Sequence, residues 1–112
     1  MKIEYKSAVV RDIAQKKEYI ETILKNKKAA QKLAASILRA VSLLASNPRM
    51  GAPLQGKYDV ETDLRFLIVA RQLVFYRIVN DELISVVRVL DGRQDYMALL
   101  FGNMAVEKGG PF

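Results

Sequence analysis

The stretch Leu83–Phe101, LISVVRVLDGRQDYMALLF, decides how the rest of the chain is read. Its first half, Leu83 to Leu90, is a nearly unbroken apolar run containing three valines, and a run of that length and type reads as a strand buried on both faces. Asp91-Gly92 then signals a turn, after which Arg93, Gln94, Asp95 and Tyr96 crowd together before Leu99, Leu100 and Phe101. Polar groups gathered at the exit of a core strand are candidates for a site.

Working outward, two similar runs come before it, Leu64 to Val69 and Leu73 to Val79. The connectors Ala70-Arg71-Gln72 and Asn80-Asp81-Glu82 are short enough for hairpins, although the first lacks the usual Gly or Asn. A three-stranded antiparallel meander is predicted. Upstream, Asn47 to Val60, NPRMGAPLQGKYDV, has two prolines, two glycines and no sustained period, and reads as a loop. A loop this long in a small domain is often functional, and it holds Arg49, Lys57 and Tyr58.

Before the loop, Ala30, Leu33, Ala34, Ile37, Val41 and Leu44 recur at helical spacing until Asn47-Pro48 closes the pattern. Val10, Ile13, Ile20 and Leu24 form an earlier stripe, with Lys16, Lys17, Glu18 and Glu21 opposite, predicting a helix over roughly 8–25 with Ser7 as its N-cap. The break near Asn26 makes the two a helical hairpin. Lys2 to Lys6 alternates polar and apolar like a short strand with one wet face. The expected fold class is therefore α+β: an N-terminal strand, an α-helical hairpin, the meander, and a short C-terminal segment. Residues 1–101 make one domain, and residues 102–112, GNMAVEKGGPF, are expected to be a flexible tail.

Composition narrows the function classes. At 112 residues, 51% hydrophobic and 27% charged, the chain is a single folded domain. It has no apolar run of the roughly 18–20 residues that cross a bilayer, and MKIEYKS lacks the apolar core of a signal peptide, so no membrane partner and a cytoplasmic location are expected. Without cysteine there is no thiolate chemistry. Without histidine the commonest general acid–base is missing and a Cys/His zinc site is excluded, so no metal or cofactor is expected. The net charge of +6 favours a polyanionic partner, either nucleic acid or an acidic protein.

Five of the eight arginines fall between Arg65 and Arg93, and Arg65, Arg77 and Arg88 interrupt the strand runs themselves. A guanidinium on a sheet needs water or an anion, because burying it alone is very costly. Two readings stay open. In one, Arg65, Arg77, Arg88 and Arg93 form an anion-binding surface with Tyr76 beside them, and Tyr58, Tyr76 and Tyr96 supply stacking faces for bases. In the other they are spent internally, Arg93 on Asp91 or Asp95, Arg65 on Asp63 or Glu61, Arg77 on Asp81 or Glu82. A two-residue loop at Arg71-Gln72 would place Arg65 on the side of Tyr76 and Ile78, opposite Arg77. If the surface cleaved RNA, Arg65, Arg93 and Lys57 would stabilise charge and Tyr96 would donate a proton; Lys57, Asp91 or Asp95 would have to accept one. Tyr96 reads equally well as a core-edge aromatic beside Leu99 and Leu100.

DLRFLIV (Asp63–Val69), LVFYRIV (Leu73–Val79) and VRVLDGRQDYMALLF (Val87–Phe101) together resemble the RelE/ParE superfamily of type II toxin–antitoxin toxins. The resemblance implies a growth-inhibiting, plasmid-stabilising type of toxin with a cognate acidic antitoxin as partner. RelE-like members cut mRNA on the ribosome without a metal, using scattered Arg, Lys and Tyr; ParE-like members act on DNA gyrase. Arg65 and Arg93 match arginine positions of both branches. Leu73 falls near where ribonuclease members often carry arginine, and Asp91 stands where many relatives have histidine. DLRFLIV followed by LVFYRIV looks closer to ParE-like sequences, which favours gyrase. The alternatives are a ribosome-dependent mRNA interferase and a non-toxic relative that acts only as a binding module.

Overall fold

The computed structural model describes the backbone of residues 1–109 and the side chains of residues 1–102. The elements follow the predicted order: β1 (Lys2–Tyr5), α1 (Ser7–Thr22), α2 (Lys27–Leu43), β2 (Ala52–Pro53), β3 (Arg65–Val69), β4 (Gln72–Asn80), β5 (Leu83–Asp91) and α3 (Tyr96–Gly109). The meander β3-β4-β5 is antiparallel as expected, but it sits inside a five-stranded sheet ordered β1-β5-β4-β3-β2. β1 joins parallel to β5, and β2, drawn from the predicted loop, pairs with the start of β3.

Both long helices pack on one sheet face. Val9, Ile37, Val41 and Leu44 meet Val74, Tyr76, Ile84, Val86 and Val89 there. On the other face Leu54, Leu64, Phe66, Leu73, Phe75 and Leu90 are covered by Tyr58 from the loop and by Tyr96, Met97, Leu100 and Phe101 of α3. β5 is thus enclosed on both sides, which is why its sequence shows no polar–apolar alternation. The tail expected from Gly102 is in part helix: α3 continues to Gly109 past a break at Gly102, whose φ of 73° suits glycine. Residues 110–112 of that expected tail lie outside the described residues.

Two local predictions are corrected. Lys6, not Ser7, is the N-cap of α1, because the Lys6 N–H still bonds the Val86 carbonyl and holds that residue extended. The second helix is capped as its sequence allows, with the Asn26 side chain accepting from the Ala29 N–H at 3.0 Å. On α1 the buried stripe is also rotated from the predicted one: Val9 and Asp12 are buried, whereas Val10 and Leu24 are 62% and 58% exposed.

The β3–β4 turn is Ala70-Arg71, one residue earlier than Arg71-Gln72, with φ of 51° and 68°. Moving a two-residue loop by one position shifts both strands together, so facing residues keep their sides. Arg65 pairs across the ladder with Tyr76 and so shares its side, as that reading required, although a loop at Arg71-Gln72 would have paired it directly with Ile78.

Candidate functional site

β1 pairs only with Leu83 to Val86, so the outer edge of β5 loses its strand partner beyond that point. Helix α1 takes over with side chains. Asp12 accepts from the Val89 N–H at 2.9 Å, and Lys16 Nζ donates to the Val89 carbonyl at 2.9 Å. The same carboxylate takes Arg88 in a two-point fork, from Nε at 2.8 Å and Nη2 at 2.9 Å. The hydrogen bond to Asp12 raises the Arg88 pKa, while burial lowers that of Lys16. Arg88 is therefore committed to the fold and is not a free anion-binding group.

Arg65 is also turned inward along the helix side. It donates to the Gly51 carbonyl at 2.6 Å and the Arg49 carbonyl at 3.2 Å, and it pairs with neither Asp63 nor Glu61. Beside it Tyr76 is fully buried, its hydroxyl donating to the Pro48 carbonyl at 2.7 Å and accepting from the Gly51 N–H at 2.9 Å. Enclosed in this way, Tyr76 offers no ring face to a base. Arg77 points to the opposite face and pairs with Asp63 at 3.2 Å, not with Asp81 or Glu82.

On that opposite face Lys57 Nζ lies over the rings of Phe66 and Tyr58, 5.3 and 5.7 Å from their centres. The Tyr58 and Tyr96 hydroxyls share a hydrogen bond, which together with burial raises the Tyr58 pKa. The Tyr96 ring packs with its centroid 5.6 Å from that of Phe75.

Arg93 follows β5 and folds back onto Asp91, with Nη2 at 3.0 Å and Nε at 3.1 Å from the carboxylate. The carboxylate also accepts the Arg93 N–H at 2.8 Å. These bonds hold Asp91 well below the usual carboxylate range. A folded-state pKa depressed in this way gives stability that is complete above the unfolded value of about 3.9 and is lost as pH falls through the folded value. The stability difference between the wild type and Asp91→Asn is accordingly expected to stay flat from pH 8 to pH 5 and to shrink only below about pH 4, as read from urea midpoints.

The structure thus brings Lys57 and Tyr96 together through Tyr58, and leaves Arg65 on the other side of the sheet and Arg93 at a turn. A concavity lies elsewhere. A cleft of about 770 Å³ opens between the helical hairpin and the two turns that follow β3 and β5. Tyr19, Ile20, Leu24 and Leu33 give it apolar walls, and Lys16, Lys32, Arg71 and Arg93 line it with positive charge. Of the lining residues only Asp91 carries a negative charge. Sequence reasoning counted Leu24 as core and passed over Tyr19, Lys32 and Arg71. The usable signal was Leu24 itself, an apolar residue placed after the end of a helix that had no more core to cover.

The family model for the ParE toxin of the type II toxin–antitoxin system parDE matches residues 3–96. Among solved structures the chain is similar to one from the chromosomal ParDE toxin–antitoxin system of P. aeruginosa, at 17% identity and a TM-score of 0.65, covering 81% of this chain and 95% of that one. No curated protein sequence matches the chain closely enough to count as a relative. The structural likeness speaks for the fold, and the family match, which spans most of the chain, carries the assignment: this protein belongs to the ParE toxin family of type II toxin–antitoxin systems.

Proposed function

We propose that this toxin acts by binding DNA gyrase, that it does not cut RNA, and that an acidic antitoxin neutralises it. The carrying observation is the dispersal of the residues that RNA cleavage would need. Arg65 is anchored to loop carbonyls, Arg93 is held by Asp91, and Lys57 and Tyr96 stand on the sheet face away from Arg65. In-line transesterification needs its base, acid and charge-stabilising groups around one phosphate, and proximity supplies much of the rate. A binding toxin has no such requirement.

Purified protein added to gyrase and relaxed plasmid is expected to block supercoiling. On programmed ribosomes it is expected to leave a defined mRNA uncut by primer extension. Ribosome-dependent cuts that weaken in Arg93→Ala and Arg65→Ala would overturn the proposal in favour of the mRNA-interferase mechanism. A chain that inhibits neither system and never slows growth would make it a non-toxic binding module.

A further inference from the structure

The sheet ends in β1 on one side and β2 on the other, and the two edges are protected differently. β2 is two residues long and includes Pro53, which has no N–H to offer a new strand. β1 carries no such block. The Lys2 N–H bonds the Glu82 carbonyl and the Lys6 N–H bonds the Val86 carbonyl, so the even-numbered residues of β1 turn their backbone groups toward β5. The N–H and C=O of Ile3 and Tyr5 therefore face outward, with no strand beyond them among the described residues. Side chains alternate as well. Ile3 packs against the helix-side core and Tyr5 lies on that same face, while Lys2, Glu4 and Lys6 lie on the other, where Glu4 accepts from the Ser85 hydroxyl at 2.8 Å. Lys2 pairs with no carboxylate among the described residues, and the Glu4 side chain, although it holds Lys6 at 3.2 Å, stays 44% exposed.

We propose that β1 is a self-pairing edge, to which a second copy of this chain adds its own β1, antiparallel about a two-fold axis at Ile3. The strand is complementary to itself in that register. Lys2 of each copy faces Glu4 of the other, so the exposed carboxylate meets the unpaired cation twice. Met1 faces Tyr5, joining two apolar side chains that are 37% and 38% exposed in the single chain. The two Ile3 residues exchange both backbone bonds, and the Tyr5 N–H reaches the Met1 carbonyl of the second copy. Neighbouring registers fail. An axis at Glu4 sets Glu4 against Glu4 and Lys2 against Lys6, like charge on like, and an axis at Tyr5 draws in Ser7, which already belongs to α1. Charged side chains on an edge strand ordinarily keep other strands away. Here the same charges reject the slipped pairing and admit the symmetric one, which is why the occupant is this chain itself.

Sedimentation equilibrium of the purified chain is expected to show a reversible monomer–dimer equilibrium. Lys2→Glu sets Glu against Glu at both facing pairs and should raise the dimer dissociation constant roughly tenfold or more. Adding Glu4→Lys to it restores opposite charges across the axis, so the double variant should dimerise as the wild type does. Lys28→Glu makes the same charge change on α2, away from β1, and should leave the equilibrium where it was. Urea midpoints of the variants separate a lost dimer from a lost fold, since substitutions at exposed positions move stability little. Amide exchange supplies the location: the Ile3 and Tyr5 N–H groups should exchange more slowly as protein concentration rises, while that of Glu4, already turned toward β5, should not change. A chain that stays monomeric at every concentration overturns the proposal. So does a dimer that ignores Lys2→Glu, or one in which the Ile3 amide gains no protection, because either would lie on another face.

Discussion

Asp12→Ala is expected to cost the fold about 3 kcal/mol, a large fraction of the roughly 5–15 kcal/mol that holds a domain of this size together. The carboxylate is almost fully buried and makes three hydrogen bonds, two to Arg88 and one to the Val89 N–H. Truncation leaves a guanidinium and a strand N–H without their acceptor. Arg88 keeps some access to water, which softens its share of the loss, but the bond to Val89 is buried and has no such relief. Asp12→Asn retains one acceptor for Val89 and should lose less. Urea unfolding gives the magnitude, and amide exchange at Val89 gives the location. A midpoint shift no larger than that of a surface substitution, about 0.5 kcal/mol, would show that α1 does not stand in for the missing strand.

Gly51→Ala is the second large effect. A methyl there would lie 2.6 Å from the Phe66 carbonyl oxygen and 2.7 Å from both Cε1 and the hydroxyl of Tyr76. Neither neighbour can yield cheaply, because Phe66 is fixed in β3 and Tyr76 is enclosed in the core. Forced apart, the loop would also lose the Gly51 bond to the Tyr76 hydroxyl and strain the Arg65 bond to the Gly51 carbonyl. Overpacking alone costs about 1–3 kcal/mol, and the broken hydrogen bonds add about 1–3 more. Gly56→Ala is the control, since a methyl at that glycine meets only Pro53 at 3.7–3.8 Å, an ordinary contact. Equal urea midpoints for the two variants would refute the account.

Much of the fold was legible because it is governed by apolar burial. The strand runs at Leu64, Leu73 and Leu83, the stripe from Ala30 to Leu44 and the order of elements all emerge as read. What was not legible is what polar backbone demands. The stripe on α1 was assigned from Val10 and Leu24, with Lys16 on the wet side. Yet the inward positions include Asp12 and Lys16, because the edge they face is a row of N–H and C=O groups rather than oil. Apolar periodicity has no term for that. Nor could local pattern show that β1 lies beside β5, a pairing set by distant chain.

The candidate site divided along the same line. The internal-pair reading holds for Arg93, which takes Asp91, and for Arg77, which takes a carboxylate other than the two considered. Arg65 uses carbonyls, a partner that no charge pattern reveals. The cleft was invisible because its residues come from both helices and from turns, and only the register of the β3–β4 hairpin brings Arg71 and Gln72 to its rim.

The bond between Asp12 and Val89 joins groups 77 residues apart, and β5, flanked on both sides, is the last strand in sequence among the described residues. Until it emerges, β1 has no neighbour and α1 has no edge to cap; closing so long a loop is rewarded only at the end. At about 5–20 residues per second, β2, β3 and β4 can pair before the strand that joins them to β1 and α1 has been made. A chain that stops ahead of β5 therefore holds β1 and α1 without the strand they pack against.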